Sequence, residues 1–352
     1  MKKSLLALAV LGAFTGIASA QTSVTIYGVA DAGITRQDNG VSVVNRLDSG
    51  NQSGSRLGFK GTEDLGGGLS GQFVLEQGFN IDTGSVSDAT RGAFNRQAYV
   101  GLTGPFGQVR LGRQKTVMYD ALDAIDPFRI SNRSGIDRLF LRNVGGAGRA
   151  DNQISYFTPT FVPGLTGQIT YALGEQTNNQ AGRSMGASLN YAAGPLFVTL
   201  DYLLVHNNFL ARQAPVAPQT AANAPFFPDQ TARGTLLGAT YDFGVAKAHA
   251  AFGTEKGGFA GLNRRTDARD YMVGATIPFG ASAVQVDYVK KQDRLGNGDA
   301  KQYAAGYTYA LSKRTNFYSS FTFTDQDAIA YVAGTVPNQI DRVINVGVRH
   351  TF

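Results

Sequence analysis

Ile344-Asn-Val-Gly-Val-Arg-His-Thr-Phe352 closes the chain and reads as one β-strand with two unlike faces. Ile344, Val346, Val348, His350 and Phe352 fall on one side, and Asn345, Gly347, Arg349 and Thr351 on the other, at the two-residue period of a strand. A soluble sheet has no reason to end such a strand on an exposed aromatic residue. A membrane barrel does, because aromatic girdles flank its outward apolar band.

The same alternation recurs upstream. In Arg56-Leu-Gly-Phe-Lys60, Leu57 and Phe59 share one face while Arg56, Gly58 and Lys60 share the other. Val284, Val286, Tyr288 and Lys290 oppose Gln285 and Asp287 in the same way. Each segment alone also fits a soluble antiparallel sheet with one wet face, so the number of segments and their connections must decide. From Thr22 to Phe352 about sixteen segments of suitable length follow one another. Short Gly/Pro turns join them alternately with long polar loops. The turns are Asp64 to Gly68, Gly104 to Phe106, Thr158 to Gly164, Ala193-Gly194, Phe243-Gly244, Pro278 to Gly280 and Ala310 to Ser312. Outer-membrane barrels keep short turns on the periplasmic side and long loops outside, which predicts both chain ends in the periplasm. The expected fold is all-β: a 16-stranded antiparallel transmembrane β-barrel.

Composition agrees. The 352 residues include 44 Gly, 22 Phe and 15 Tyr but no Cys and no Trp. Glycine without a Gly-X-Y period excludes collagen, and 43% hydrophobic content argues against general disorder. Met1-Lys2-Lys3, the apolar run Ser4 to Ile17 and Ala18-Ser19-Ala20 form the n-region, h-region and cleavage site of a secretory signal peptide, predicted as residues 1–20. The remaining domain is 21–352. Cleavage takes Lys2 and Lys3 away and lowers the formal charge from +6 to +4, and no basic block with interleaved aromatics suggests nucleic acid. No other apolar run is long enough for a membrane helix, which leaves a closed barrel as the spanning structure.

One stretch breaks the pattern. Gln114 to Arg149 has no period-2 alternation and carries Lys115, Arg129, Arg133, Arg138, Arg142 and Arg149 against Asp120, Asp123, Asp126 and Asp137. Connections this long inside a compact domain are usually functional or disordered. Met118, Leu122 and Ile125 recur at helical spacing, with Asp120 and Asp123 on the other side and Asp126-Pro127 as the stop. The helix is expected to pack its apolar face on the barrel wall and show its carboxylates to the lumen, with an exposed helix packed on other loops as the alternative. Asn207 to Thr231, with four prolines, is expected to be exposed coil.

Several stretches together resemble the trimeric general porins of Gram-negative bacteria, most closely the beta-proteobacterial branch. They are Val24-Thr-Ile-Tyr-Gly28, Ser55 to Gly68, Arg96 to Leu102, Phe106 to Arg113, Gln153 to Pro159, Leu311 to Thr315 and the final strand. The resemblance spans the mature chain. It implies an outer-membrane homotrimer among lipid and lipopolysaccharide, and a third external loop, 114–149, folded inward as a constriction. It also implies a basic wall of Arg56, Arg96 and Arg149, joined by Lys60, opposite an acidic edge of Asp120, Asp123 and Asp126. The enteric Pro-Glu-Phe-Gly-Gly signature is absent from that loop, where Asp126-Pro-Phe-Arg129 stands instead.

The expected function is passive diffusion of small hydrophilic solutes and ions with mild anion preference, since clusters of Arg and Lys favour anions in pores. A solute-specific channel or surface receptor on the same barrel is the second reading. Neither cofactor nor metal nor enzymatic activity is expected: His206, His249 and His350 lack ligand spacing, and Gly145-Gly-Ala-Gly148 lacks the Lys-Ser/Thr and helix of a phosphate loop.

Overall fold

Val346 is 58% exposed in the final strand, whereas the neighbouring Asn345 is 2% exposed. Ile34 beside buried Thr35 and Val273 beside buried Met272 repeat that division. Water-soluble sheets leave their polar face wet. Here large apolar side chains are on the exposed face and many polar ones on the buried face, as a lipid-facing barrel requires.

The computed structural model describes residues 23–145, 148–175, 182–206, 231–258, 265–296, 298–327 and 339–352. The expected leader, the coil 207–231 except Thr231, and residues 146–147 of the glycine run lie outside them. Strands β1 (Ser23–Asp38), β2 (Val43–Ser49), β3 (Arg56–Gly66), β4 (Leu69–Gly78), β5 (Gln97–Gly104) and β6 (Gly107–Lys115) lead to helix α1 (Val117–Ile125), a 3-10 turn (Ile136–Arg138) and the short helix α2 (Arg142–Gly145). Then follow β7 (Arg149–Phe157), β8 (Leu165–Ala172), β9 (Ser184–Ala193), β10 (Leu196–His206), β11 (Thr231–Asp242) and β12 (Lys247–Gly258). The chain ends with β13 (Arg265–Phe279), β14 (Ser282–Asp293), β15 (Ala300–Ala310), β16 (Thr315–Gln326) and β17 (Ile340–Thr351).

Every pairing is antiparallel, and strands pair with their sequence neighbours except around β1, where β17 returns to close the seam from Val29↔Thr351 to Asp38↔Arg342. Closure pairs the first strand with the last, as a sheet that spans lipid requires. The Gly28 and Phe352 backbones exchange both hydrogen bonds, at 3.0 and 3.1 Å, so the terminal residue belongs to this seam.

The ladder has seventeen strands because one of its sixteen staves is broken. β2 pairs with the far half of β1, from Ala32↔Ser49 to Asp38↔Val43, and β3 with the near half, from Ser23↔Thr62 to Val29↔Arg56. The loop expected after the first strand therefore contains a strand. Its hairpin turns at Asn39, whose Oδ1 accepts from the Ser42 amide at 2.9 Å. Residues 50–55 bulge between the halves because buried Asp31 collects them: its Oδ2 accepts from the Gln52 and Ser53 amides at 2.9 and 2.6 Å. The β3–β4 turn needs three successive positive φ values, met by Gly66, Gly67 and Gly68.

Candidate functional site

The β6–β7 connection is ordered around α1. Thr116 caps it by accepting from the Tyr119 amide at 3.3 Å, and the Asp126 amide closes its last turn onto the Leu122 carbonyl at 3.0 Å. Met118, Leu122 and Ile125 are fully buried together with Val117, and join Leu139, Phe140, Leu141 and Val144 in one apolar cluster with Leu203, Leu236 and Met272 of the sheet. Burying one such side chain stabilises by about 1.5–3 kcal/mol, so the segment is held by packing rather than by its short helix alone. Glycines provide the room. A Cβ on Gly238 would lie 2.9 Å from Ile125, one on Gly274 2.7 Å from Pro127, and one on Gly306 2.5 Å from Phe128.

Polar stitches extend that seat. Asp126 is 1% exposed, and its carboxylate accepts from the amides of Phe128, Ile130 and Ile136 at 2.8, 2.8 and 3.1 Å. Burial pushes its pKa up to about 7, against the lowering effect of those three donors. The cradle holds a corner in which Arg129 and Ile130 both take left-handed φ, 54° and 53°. Arg133 binds Asp48 at 2.6 Å, Arg138 binds Asp341 at 3.1 Å, and the Leu141 amide donates to Asp270 at 2.9 Å. Asp270 and Glu255 share Lys291, whose Nζ lies 2.8 and 2.5 Å from them.

A cavity of about 1350 Å³ lies between this segment and the strands across from it. Among the described residues its lining includes Arg56, Lys60, Arg96, Lys115, Arg129, Arg149, Lys313, Arg314 and Arg349, but of acidic side chains only Glu76, Asp123 and Asp137. Glu76 organises two of the arginines: Arg96 Nε approaches Oε1 at 2.7 Å and Arg56 Nε approaches Oε2 at 3.8 Å, while the Tyr27 hydroxyl donates to Oε2 at 3.1 Å. Arg149 and Lys115 instead lie over the Tyr119 ring, at 5.0 and 5.2 Å from its centroid, and Lys60 over Tyr27 at 5.4 Å.

All four residues of the expected basic wall thus line one cavity. The expected acidic residues separate. Asp123 lines it but is gripped by Arg129 through two hydrogen bonds, 3.1 and 2.9 Å. Asp120 pairs with Lys115 at 3.2 Å and lines a smaller neighbouring recess. Asp126 lines neither and points into its amide cradle, because the chain reverses over it after Pro127. Arg133 and Arg138 are likewise tied to wall carboxylates. No motif in the sequence singles out Glu76. Its only local sign was its place in the Phe73-Val-Leu-Glu-Gln77 alternation; its partners depend on register, which sets it opposite Gly58 and Gln97.

A family profile described as Gram-negative porin matches residues 7–329. Outer membrane porin protein 32 of Delftia acidovorans is 34% identical over 388 residues, with both chains covered completely. An outer membrane porin protein of Bordetella pertussis is 33% identical over 410 residues, again with complete coverage of both. Among solved structures, an anion-selective porin from Comamonas acidovorans superposes with a TM-score of 0.79 at 30% identity, over 94% of this chain and 100% of that one.

Proposed function

We propose that this chain, which belongs to the Gram-negative porin family, is an outer-membrane channel for passive diffusion of small hydrophilic solutes and ions with a mild preference for anions. The observation that carries the preference is the cavity lining, where nine Lys and Arg side chains meet three acidic ones. In such a lining an entering anion exchanges part of its hydration for guanidinium and ammonium donors, and a cation meets repulsion. The preference is graded rather than absolute, because water and salt screen charges over roughly 8 Å at physiological ionic strength.

In this reading the segment 114–149 folds into the lumen and narrows it. Its support is the packing of α1 on the face of β11 that carries Gly238, opposite exposed Leu237, and the presence of Asp123, Phe128 and Arg129 beside wall arginines in one cavity. Arg56, Arg96, Arg149 and Lys60 form the basic wall, Asp123 and Asp120 stand on the loop, and Glu76 joins them as the wall carboxylate. Asp126 holds the loop's shape. Residues 1–20 act as the leader and the mature chain assembles as a homotrimer in contact with lipopolysaccharide, on the strength of the leader's three-part pattern and the general-porin resemblance.

Reversal potentials of the purified channel in planar bilayers under a KCl gradient test the reading. A potential of the sign set by chloride permeation is expected; a cation-selective potential overturns it.

A further inference from the structure

The outward face of β12–β16 is not uniformly apolar. Phe252, Tyr271, Tyr288, Tyr303 and Phe323 form a row across these five strands, with ring centroids 5.3 Å apart for Phe252–Tyr271, 4.8 Å for Tyr288–Tyr303 and 6.1 Å for Tyr303–Phe323. Toward the short-turn end the same face presents Val273 and Val286, both exposed. Two residues beyond the row, toward the end with the long connections, the period of two places Arg269, Lys290 and Lys301 on the same face. Lys290 stands directly opposite Tyr271 on one side and Lys301 on the other.

Like charges directly opposite across a ladder destabilise a sheet. Lys301 is matched by Asp325 at 3.4 Å, whereas neither Lys290 nor Arg269 has an ion-pair partner among the described residues. The nearby Asp267 is engaged by Lys256 and Arg294, each at 3.5 Å. Three cations therefore stand above an aromatic row and an apolar face with one carboxylate between them. Such layering complements a lipid whose acyl chains lie on the apolar face and whose anionic head reaches the cations.

We propose that Arg269, Lys290 and Lys301 seat the phosphate of an anionic lipid in the leaflet at the long-connection end, with its acyl chains along Val273 and Val286. The inference rests on the outer-membrane reading above. The head group relieves the Lys290–Lys301 repulsion, and the tyrosine hydroxyls mark the depth at which it sits.

Native mass spectrometry of the full-length mature channel in neutral detergent, titrated with phosphatidylglycerol, bisphosphorylated lipid A or phosphatidylcholine, tests the site. Retention of the two anionic lipids over phosphatidylcholine is expected. The Arg269→Gln/Lys290→Gln/Lys301→Gln variant should lose roughly a hundredfold of that affinity, at about 1 kcal/mol per cation. Its retention of phosphatidylcholine should not change. Equal retention of anionic lipid by the variant, equal retention of phosphatidylcholine by the unaltered chain, or displacement of lipid by millimolar inorganic phosphate would each overturn the proposal. If the triple variant lacks the circular dichroism of the folded barrel, Lys290→Gln alone is read, with a severalfold loss expected and no loss overturning the site. Conductance in phosphatidylcholine bilayers, unchanged by these outward substitutions, separates failure of the lipid site from failure of the channel reading.

Discussion

Arg96 Nε lies 2.7 Å from Glu76 Oε1, and this contact joins β4 to the residue preceding β5 at the wall of the cavity. The same carboxylate serves Arg56 at 3.8 Å, so one negative charge is divided between two guanidinium groups. Arg149 has no acidic partner within ion-pair distance among the described residues and rests on Tyr119 instead. The wall is thus both held together and left positive. Removing its carboxylate and removing its cations have opposite consequences.

Glu76→Gln should increase anion preference, raising the chloride-to-potassium permeability ratio by a factor of about two, as expected for one unit charge in a screened aqueous gap. The glutamine still offers Arg96 an oxygen, so the barrel should assemble. Reversal potentials in a KCl gradient are the measurement; an unchanged or reduced ratio would show that Glu76 does not act on the permeating ion.

Arg149→Gln should move selectivity the other way, and adding Arg56→Gln should move it further. Both effects should shrink as KCl rises toward about 1 M, where the Debye length falls to about 3 Å. Single-channel recordings over a range of salt would check this. A selectivity change that persists undiminished in molar salt would point to altered pore shape rather than lost charge.

Asp126 makes the loop sensitive to pH in a definite direction. Its folded pKa is raised to about 7 from an ordinary value of 3.8, so the folded state holds a proton that the unfolded chain gives up. Stability from this group is therefore greatest below about pH 4, falls as pH rises toward 7, and is flat above that. The heat-denaturation midpoint of the purified barrel should drop across this window. In Asp126→Asn that part of the slope should vanish, although the amide accepts fewer of the three backbone N–H donors and lowers the midpoint overall. A midpoint that rises from pH 4 to 7 and does so equally in the variant would contradict the assignment.

These residues also show which parts of the architecture can be read from the chain itself. Strand alternation and short turns are local, and Ile344 to Phe352 or Val284 to Lys290 carry them in full. The 3.6 period of Met118, Leu122 and Ile125 with the stop at Asp126-Pro127 is local too, and α1 follows it. Glu76 is legible only when the registers of β3, β4 and β5 are known, since these bring it to Arg56 and Arg96. Asp126 read as an acidic helix end; its burial arises from a chain reversal ten residues long, to the Ile136 amide. β2 pairs with β1 beyond the point where β3 stops, a register that no local pattern shows; its one local mark is Asn39-Gly40, a hairpin dipeptide whose glycine takes φ 82°.

The glycines beneath the loop give the most direct test of its position. A Cβ at Gly306 would fall 2.5 Å from Phe128 Cε1, and at Gly238 2.9 Å from Ile125, inside the closest approach that packed carbon atoms tolerate. Gly306→Leu should therefore push Phe128 and its left-handed neighbours off the wall. Because Ile130 and Arg129 depend on the Asp126 cradle for their strained φ, displacement should spread through the corner rather than stop at one ring. Ile125→Ala removes packing without adding bulk and should cost about 2–5 kcal/mol in the seating of α1. On the proposal that this loop narrows the pore, both variants free it to move there, so open-channel current noise should increase and the mean conductance should change while the barrel's β-sheet circular dichroism stays the same. The pair separates two explanations: Leu acts by occupying the socket and Ala by emptying it. Quiet, unaltered conductance in both would mean that residues 114–149 do not set the width of the channel.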